Sequence, residues 1–264
     1  MNGLDIFWGN MDDGIEEYEE LLCKRDQLVK ESESLQISYT IEFGELLTGI
    51  FEKKVECIKK KKMITFCQKS INRGERIDVE RMTVMVDRDM QLYYYQLDEL
   101  IRQNKEAKDA RTVDPFRVRR SKKLYRRLAK MIHPDINRKT MEEPELRELW
   151  ERISGAYLRS DVETLEDLEA LARMAMEKYG LDGFEYDIDD IEERIKRVQD
   201  QITEIITTEP YTYREVLYDD KKRTELKEKL EAEMEEYTKY VDELTETLER
   251  LLASGGMSFL WKMN

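Results

Sequence analysis

The only histidine of the chain, His133, is followed by a proline and an aspartate, giving the tripeptide His133-Pro134-Asp135. An imidazole and a carboxylate this close together can act in general acid–base catalysis, and they can also form directional hydrogen bonds to a partner. No nucleophile and no glycine-rich phosphate loop accompanies them, so the sequence favours a recognition turn. Proline keeps such a turn stiff, which reduces the ordering cost when a partner binds.

A basic segment precedes this turn, and no acidic residue interrupts it before Asp135. Leu124, Leu128 and Met131 or Ile132 fall on one face at steps of three and four residues, which predicts an amphipathic helix with a basic opposite side. Pro134 disfavours the helical conformation at His133, so the helix should end near Ile132. The eight basic residues are Arg117, Arg119, Arg120, Lys122, Lys123, Arg126, Arg127 and Lys130.

A second helix is predicted after the turn. Thr140-Met-Glu-Glu143 has the form of a capping box, and Pro144 falls in the first turn, where a missing amide donor is tolerated. Antiparallel packing of the two helices is the simplest solution for their short loop. Ser160-Asp161 breaks the pattern before a further helix. The apolar face of the second helix comprises Leu146, Leu149, Trp150, Ile153, Ala156 and Tyr157.

The segment Leu124-Tyr-Arg-Arg-Leu-Ala-Lys-Met-Ile-His-Pro-Asp-Ile-Asn137 resembles the second helix and signature loop of the J domain of DnaJ-type co-chaperones. Trp150-x-x-Ile153-x-x-Ala156-Tyr157 is similar to the third helix of that family. The resemblance covers about Arg117 to Asp161. The family's first helix, which begins Tyr-x-x-Leu close before the second, is not evident there, and part of Tyr93 to Arg111 is the candidate replacement.

The resemblance implies a protein partner and no reaction catalysed by this chain, with no cofactor. J domains dock on a DnaK-class chaperone ATPase and accelerate its ATP hydrolysis. By this resemblance His133, Pro134 and Asp135 form the contact triplet, followed by Asn137 at the end of the motif. Arg126, Arg127 and Lys130 would meet an acidic surface of the partner, together with Arg119, Arg120, Lys122 and Lys123. No Gly/Phe-rich linker or cysteine-rich zinc module follows, so a specialised co-chaperone with an unidentified client is expected.

Composition predicts the elements around this module. Charged residues make up 39% of 264 residues, against a typical ~25%, and there are only 11 glycines and 4 prolines, so an all-α fold of long helices is expected. We predict an N-terminal helical hairpin over 1–112, a J-domain-like module over 113–180 and a C-terminal coiled-coil hairpin with an apolar tail over 181–264. Asn72-Arg-Gly74 breaks the first hairpin, and Gly44 and Gly49 are further candidate interruptions.

In the C-terminal region, Ile191, Ile195, Val198 and Ile202 are spaced alternately by four and three residues, and Leu230 to Leu251 follow the same rhythm. This is the seam of a coiled coil, interrupted at Pro210. An intrachain antiparallel pair is the simpler assembly, with a homodimer through the seam as the alternative. Both chain ends carry apolar clusters, Leu4 to Trp8 and Met257 to Trp261, whose role the sequence leaves open.

The net charge of −14 argues against general attraction to nucleic acid or anionic lipid, although the basic helix by itself would suit phosphates. No apolar run approaches the ~20 residues that a spanning helix requires, and no export signal is evident, so a cytoplasmic protein is expected. Cys23, Cys57 and Cys67 form no C-x-x-C pair, and with one histidine no zinc site is expected. The competing function is a coiled-coil interaction scaffold with a degenerate J domain.

Overall fold

The computed structural model describes residues 3–109, 114–181 and 190–260, with side chains from residue 14 to residue 254 within those ranges. Every regular element in these ranges is helical, which confirms the predicted all-α class. The apolar clusters predicted at the two chain ends lie outside the described side chains. In chain order the elements are α1 (Gly3–Asn72), α2 (Val79–Asp109), α3 (Pro115–Ile132), α4 (Arg138–Glu142), α5 (Pro144–Leu158), α6 (Val162–Tyr179), α7 (Ile191–Thr207), a 3-10 turn (Tyr211–Tyr213), α8 (Arg214–Leu217) and α9 (Asp220–Leu260).

The chain divides into two compact units, and each unit is discontinuous in sequence. The loop unit, which contains the His-Pro-Asp turn, comprises Met1–Leu35 and Arg111–Thr212. The hairpin unit comprises Gln36–Ala110 and Tyr213–Asn264. This division differs from the predicted boundaries after residues 112 and 180. The reason is that α1 is long enough to supply its first part to one core and its second part to the other.

In the hairpin unit, α1 ends at Asn72 and the chain reverses through Gly74, which has a left-handed φ of 69°. Helix α2 then returns antiparallel to α1. The thiol of Cys67 lies 3.6 Å from the sulfur of Met82 near the turn, and at the far end the Asn104 amide donates to the carbonyl of Gly44 at 2.9 Å. Val55, Ile64 and further apolar residues of both helices form the core.

The suggestion that Gly44 and Gly49 interrupt α1 is wrong, because the helix is continuous through both. A Cβ at Gly44 would overlap the side chain of Asn104, and one at Gly49 would overlap the methyl group of Met234. Each glycine therefore leaves room for one side chain, that of Asn104 at Gly44 and the end of Met234 at Gly49. Sequence inspection alone does not distinguish this use of glycine from a helix break.

The C-terminal helices have different partners from those predicted. In the loop unit, α7 packs along the first part of α1, where Arg194 hydrogen-bonds Tyr18 and Gln201 accepts from Arg25 at 3.3 Å. In the hairpin unit, α9 packs along the second part of α1, with an ion pair of 2.9 Å between Lys54 and Glu233. Within its own unit each of these helices therefore has α1 as a packing partner, whereas the sequence predicts that the two pair with each other.

Helices α3, α5 and α6 pack together in the loop unit. Their facing apolar residues are fully buried and include Leu128, Leu146, Ile153 and Leu165. Cys23 of α1 joins this core. Completely dehydrated leucine and isoleucine side chains each stabilise a fold by roughly 1.5–3 kcal/mol, so this cluster is the main reason that α3 and the turn after it hold one position.

Candidate partner-docking site

Helix α3 begins and ends at positions that its sequence specifies. The Asp114 carboxylate accepts from the amide of Phe116 at 2.9 Å, and Pro115 occupies the first helical position. At the other end His133 is extended, with φ −63° and ψ 129°, as the proline after it requires. The carbonyl of His133 then accepts from the amides of Ile136 and Asn137 at 3.0 and 2.7 Å. The turn is therefore closed by its own backbone.

The predicted capping box at Thr140–Glu143 is not formed. A short helix, α4, begins earlier with Asn137 as its N-cap, since the Asn137 side chain accepts from the amide of Lys139 at 3.1 Å. Thr140 is fully buried inside α4, and its hydroxyl has no hydrogen-bond partner among the described residues. Helix α5 starts at Pro144 with no side-chain cap on Glu143. The side chain of Asn137 therefore stabilises the loop through its hydrogen bond to the backbone.

His133 is buried, with 2% of its surface exposed, so the imidazole that the sequence predicts to contact a partner does not face solvent. Its Nδ1 accepts from the amide of Asp135 at 3.0 Å, which places the ring proton on Nε2. Nε2 lies 3.5 Å from Oδ2 of Asp26, and the ring meets Trp150 edge-on at 4.6 Å between centroids. Both ring nitrogens are therefore directed at groups of this chain.

The group that covers His133 is a carboxylate on α1. Arg25 donates through Nε and Nη2 to Oδ1 of Asp26 at 2.9 and 2.8 Å, and the Tyr125 hydroxyl donates to Oδ2 at 2.6 Å. Burial raises the pKa of the Asp26 carboxyl, but the contacts with His133, Arg25 and Tyr125 lower it by more, so its pKa lies below the ordinary value. Burial and the adjacent carboxylate raise the pKa of Tyr125, which keeps its hydroxyl a donor.

The other two residues of the tripeptide are more accessible. Pro134 is half-buried, and the Asp135 side chain is 42% exposed. Asp135 is nevertheless paired, since Nη1 of Arg25 lies 3.1 Å from its Oδ2. Arg25 thus connects Asp26 with Asp135, and both acidic groups that surround the turn are bound by one guanidinium from α1.

The basic residues of α3 fall into two sets. The first is paired: Arg117 and Arg120 bind Glu163 and Glu166 of α6, Arg127 binds Glu169 at 2.8 Å, and Lys130 binds Glu19 of α1 at 2.9 Å. Because the exposed pairs of Arg117 and Arg120 contribute only about 0–1 kcal/mol each, they mainly align α3 with α6. Lys130 instead connects α3 with α1, where Glu19 is buried. Arg120 and Arg127, which the sequence predicts to meet a partner, are therefore already paired with carboxylates of α6.

The second set is a stripe that faces solvent, which we call the cation stripe. It consists of Arg119, Lys122, Lys123 and Arg126, which share one face of α3 at spacings of three and four residues. Arg119, Lys123 and Arg126 are exposed and Lys122 is half-buried. Within the described parts of the chain, none of the four forms an ion pair or a hydrogen bond. The cation stripe can therefore bind an acidic surface without first breaking an internal contact.

Sequence reasoning missed Arg25 and Asp26, and it sought the helix that accompanies α3 and α5 in the wrong place. Tyr93–Asp109 belongs to the hairpin unit, whereas residues 14–35 of α1 pack in the loop unit. A signal was available: Tyr18-Glu-Glu-Leu21 has the Tyr-x-x-Leu form sought before the second helix. Tyr18 is buried at 4% exposure. It lies about 100 residues before α3, so nearness in the sequence does not connect it with that helix.

Across the described ranges, no three carboxylate, thiol or imidazole groups are arranged to hold a metal ion. No helix in those ranges combines the length and the apolar composition needed to cross a bilayer. Comparison with protein-family models, with curated proteins and with solved structures finds no match to this chain.

Proposed function

We propose that this chain is a J-domain co-chaperone, which docks on a DnaK-class chaperone ATPase and stimulates its ATP hydrolysis. Helix α3 and the turn at His133-Pro134-Asp135 form the docking site. The hairpin unit serves to bring the chaperone to a specific client protein. The chain catalyses no reaction itself in this proposal, since the hydrolysis takes place on the partner.

The observation that carries the proposal is the cation stripe. In a chain of net charge −14, four cations that have no partner among the described residues lie on one exposed face, on the helix that leads into the turn. Exposed charges of this kind accelerate encounter with an oppositely charged surface and fix its orientation, with a strong dependence on salt. An acidic protein surface is therefore the partner chemistry that this face suits best.

The turn supports the same function. The backbone hydrogen bonds from Ile136 and Asn137 to the carbonyl of His133 fix the loop, and Pro134 stiffens it. A preordered loop binds with a smaller entropic penalty than a mobile one. The carboxylate of Asp135 is the accessible acceptor of this loop, at 42% exposure.

The proposal is tested by ATP turnover of a DnaK-class chaperone in the presence of the full chain. We expect wild type to accelerate hydrolysis and His133→Gln to abolish the acceleration. A double variant of the stripe, Lys123→Ala with Arg126→Ala, should raise the half-maximal concentration by roughly 2- to 30-fold, because exposed charges contribute about 0.2–1 kcal/mol each. The matched control is Arg117→Ala with Arg120→Ala, which removes two exposed arginines whose charges are already paired, and it should change that concentration less than 2-fold.

A scaffold with a degenerate J domain is the second candidate, and one observation favours it. The imidazole of His133 is buried with both nitrogens engaged, as in a residue that serves only to hold the loop. The same assay separates the two functions. The scaffold would be the better account if neither wild type at saturating concentration nor variants that uncover His133, such as Asp26→Asn, accelerate ATP hydrolysis.

A further inference from the structure

We infer that the side chains of Arg25 and Asp26, which lie in residues 14–35 of α1, inhibit docking: they bind the polar residues of the proposed docking turn and must move aside before a partner can engage them. The stretch of helix that carries them, which we call the inhibitory segment, stays packed in the loop unit. This inference rests on the proposed function, because it concerns the accessibility of the same site. It goes beyond that function because it assigns to α1 of the same chain a role as competitor of the partner at the docking turn.

The inhibitory segment contacts the turn at two adjacent positions. Asp26 covers the imidazole of His133, and Arg25 binds the carboxylate of Asp135 at 3.1 Å. Each of the two polar side chains of the tripeptide is thus engaged by one residue of α1. A partner that forms hydrogen bonds with His133 has to replace Asp26, since the ring is only 2% exposed.

The chemistry of the inhibitory segment matches that expected of the partner. Glu19 places a carboxylate 2.9 Å from Lys130, the last cation of α3 before the turn. With Asp26 beyond it, the segment presents two acidic groups to α3, as an acidic partner surface would. The segment and an acidic partner would therefore compete, because both offer carboxylates to Lys130 and to the imidazole of His133.

A further contact fastens the inhibitory segment to α5. The ammonium of Lys30 donates to the carbonyl of Tyr157 at 2.6 Å and to the hydroxyl of Ser160 at 2.7 Å. Tyr157 lies in the last turn of α5, where a cation satisfies carbonyls that have no helical partner. This contact leaves the tripeptide untouched, so variants of Arg25 and Asp26 loosen the cover of the turn while the segment stays attached.

The inference is tested with the full chain by substituting the two covering residues. Arg25→Gln releases Asp135 and leaves the hydrogen bond between Tyr125 and Asp26 in place, and Asp26→Asn weakens the cover of His133. Each should lower the half-maximal concentration for ATPase stimulation by about 10-fold. Loss of one hydrogen bond to a charged group shifts the equilibrium between covered and uncovered turn by about that factor, and the apparent affinity is proportional to the uncovered fraction. Matched controls are Lys24→Gln and Glu20→Gln, whose side chains are exposed neighbours on the same helix.

A second readout does not depend on a partner. Because His133 is the only histidine of the chain, its carbethoxylation by diethyl pyrocarbonate reports on this site alone. We expect slow modification in wild type and in both controls, and faster modification in Arg25→Gln and Asp26→Asn. If Asp26→Asn fails to fold, as judged by circular dichroism, Arg25→Gln decides the question.

The outcomes separate the two claims. Lower half-maximal concentrations with faster modification in both covering variants would support the inhibitory segment. Equal stimulation by wild type and by the covering variants would overturn the inhibitory segment and leave the proposed function standing. Faster modification of His133 without stimulation by any variant would overturn the proposed function, and with it the inference.

Discussion

Replacement of Asp26 by asparagine tests whether this carboxylate holds the loop unit together. Three hydrogen bonds and the longer contact with His133 converge on its two oxygens. In the best arrangement of the amide, its carbonyl accepts from Arg25 and its NH2 group donates to the Tyr125 hydroxyl. The amide N–H then faces the Nε2 proton of His133, so two buried donors oppose each other.

The size of the effect follows from these losses. A buried donor without an acceptor costs about 1–3 kcal/mol, and the bonds from Arg25 lose the added strength of an ionised acceptor. The side chain of Asp26 is only 16% exposed, so water compensates little. We expect Asp26→Asn to lower the free energy of unfolding of the loop unit by about 2–4 kcal/mol. The urea midpoint should fall by about 1–2 M.

Trp150 provides the local signal, because its ring meets His133. Phenylalanine at Trp8 and Trp261 makes Trp150 the only tryptophan, and its fluorescence then follows the loop unit in urea. The matched control is Asp167→Asn, which removes an exposed carboxylate of α6. It should change the free energy of unfolding by less than about 0.5 kcal/mol. A similar small change for Asp26→Asn would refute the role assigned to this carboxylate.

The pH dependence supplies a second check of the same reasoning. Since the pKa of Asp26 is lowered on folding, its charged form contributes stability above the unfolded pKa of about 3.9, and that contribution is lost as the pH falls through the lower folded value. The difference in stability between wild type and Asp26→Asn should therefore be constant from pH 5 to 7 and shrink below pH 4. A difference that stays constant down to pH 2 would contradict the lowered pKa.

Three further outcomes are expected. Gly44→Ala should destabilise the hairpin unit by about 1–2 kcal/mol in thermal unfolding, because the new methyl group displaces the side chain of Asn104. This cost outweighs the gain in helix propensity of about 1 kcal/mol, which the control Gly155→Ala, with room for a methyl group, should show by itself. Burial raises the pKa of the Cys23 thiol to about 11, so a disulfide reagent should modify Cys23 only when urea unfolds the loop unit, and rapid reaction of the native protein would contradict this burial. Lys30→Met should lower the unfolding free energy by about 1–2 kcal/mol, and no change would show that its bonds to the end of α5 do not stabilise the fold.

The features that the sequence predicts well are those fixed by local chemistry. The helical period, the proline after His133 and the asparagine–glycine pair around Arg73 each act within a few residues, so the corresponding helix ends lie where expected. The capping box at Thr140 fails although it too is local, because Asn137 offers the backbone a competing cap three residues earlier.

Pairing between helices was predicted less well, for a physical reason. A heptad pattern specifies that one face of a helix is covered, but any apolar face of matching period can cover it. Nearness in the sequence favours pairing of α7 with α9, whereas α1 is long enough to pack against each of them. The contact of Arg25 with Asp135 spans 110 residues, and nothing in either segment alone identifies the other.

The charges of α3 depend both on their spacing in the sequence and on the packing of α3 against α6. The sequence presents eight cations as a single set, yet Arg117 and Arg120 match Glu163 and Glu166, which have the same spacing of three on α6. Once α3 and α6 lie side by side in the same direction, these charges neutralise each other. Among the described residues, the cations on the other face of α3 have no such counterpart, so their charges are not neutralised by an ion pair. Under the proposed function, docking on α3 would therefore depend on this remainder and on competition between the acidic groups of α1 and those of the partner.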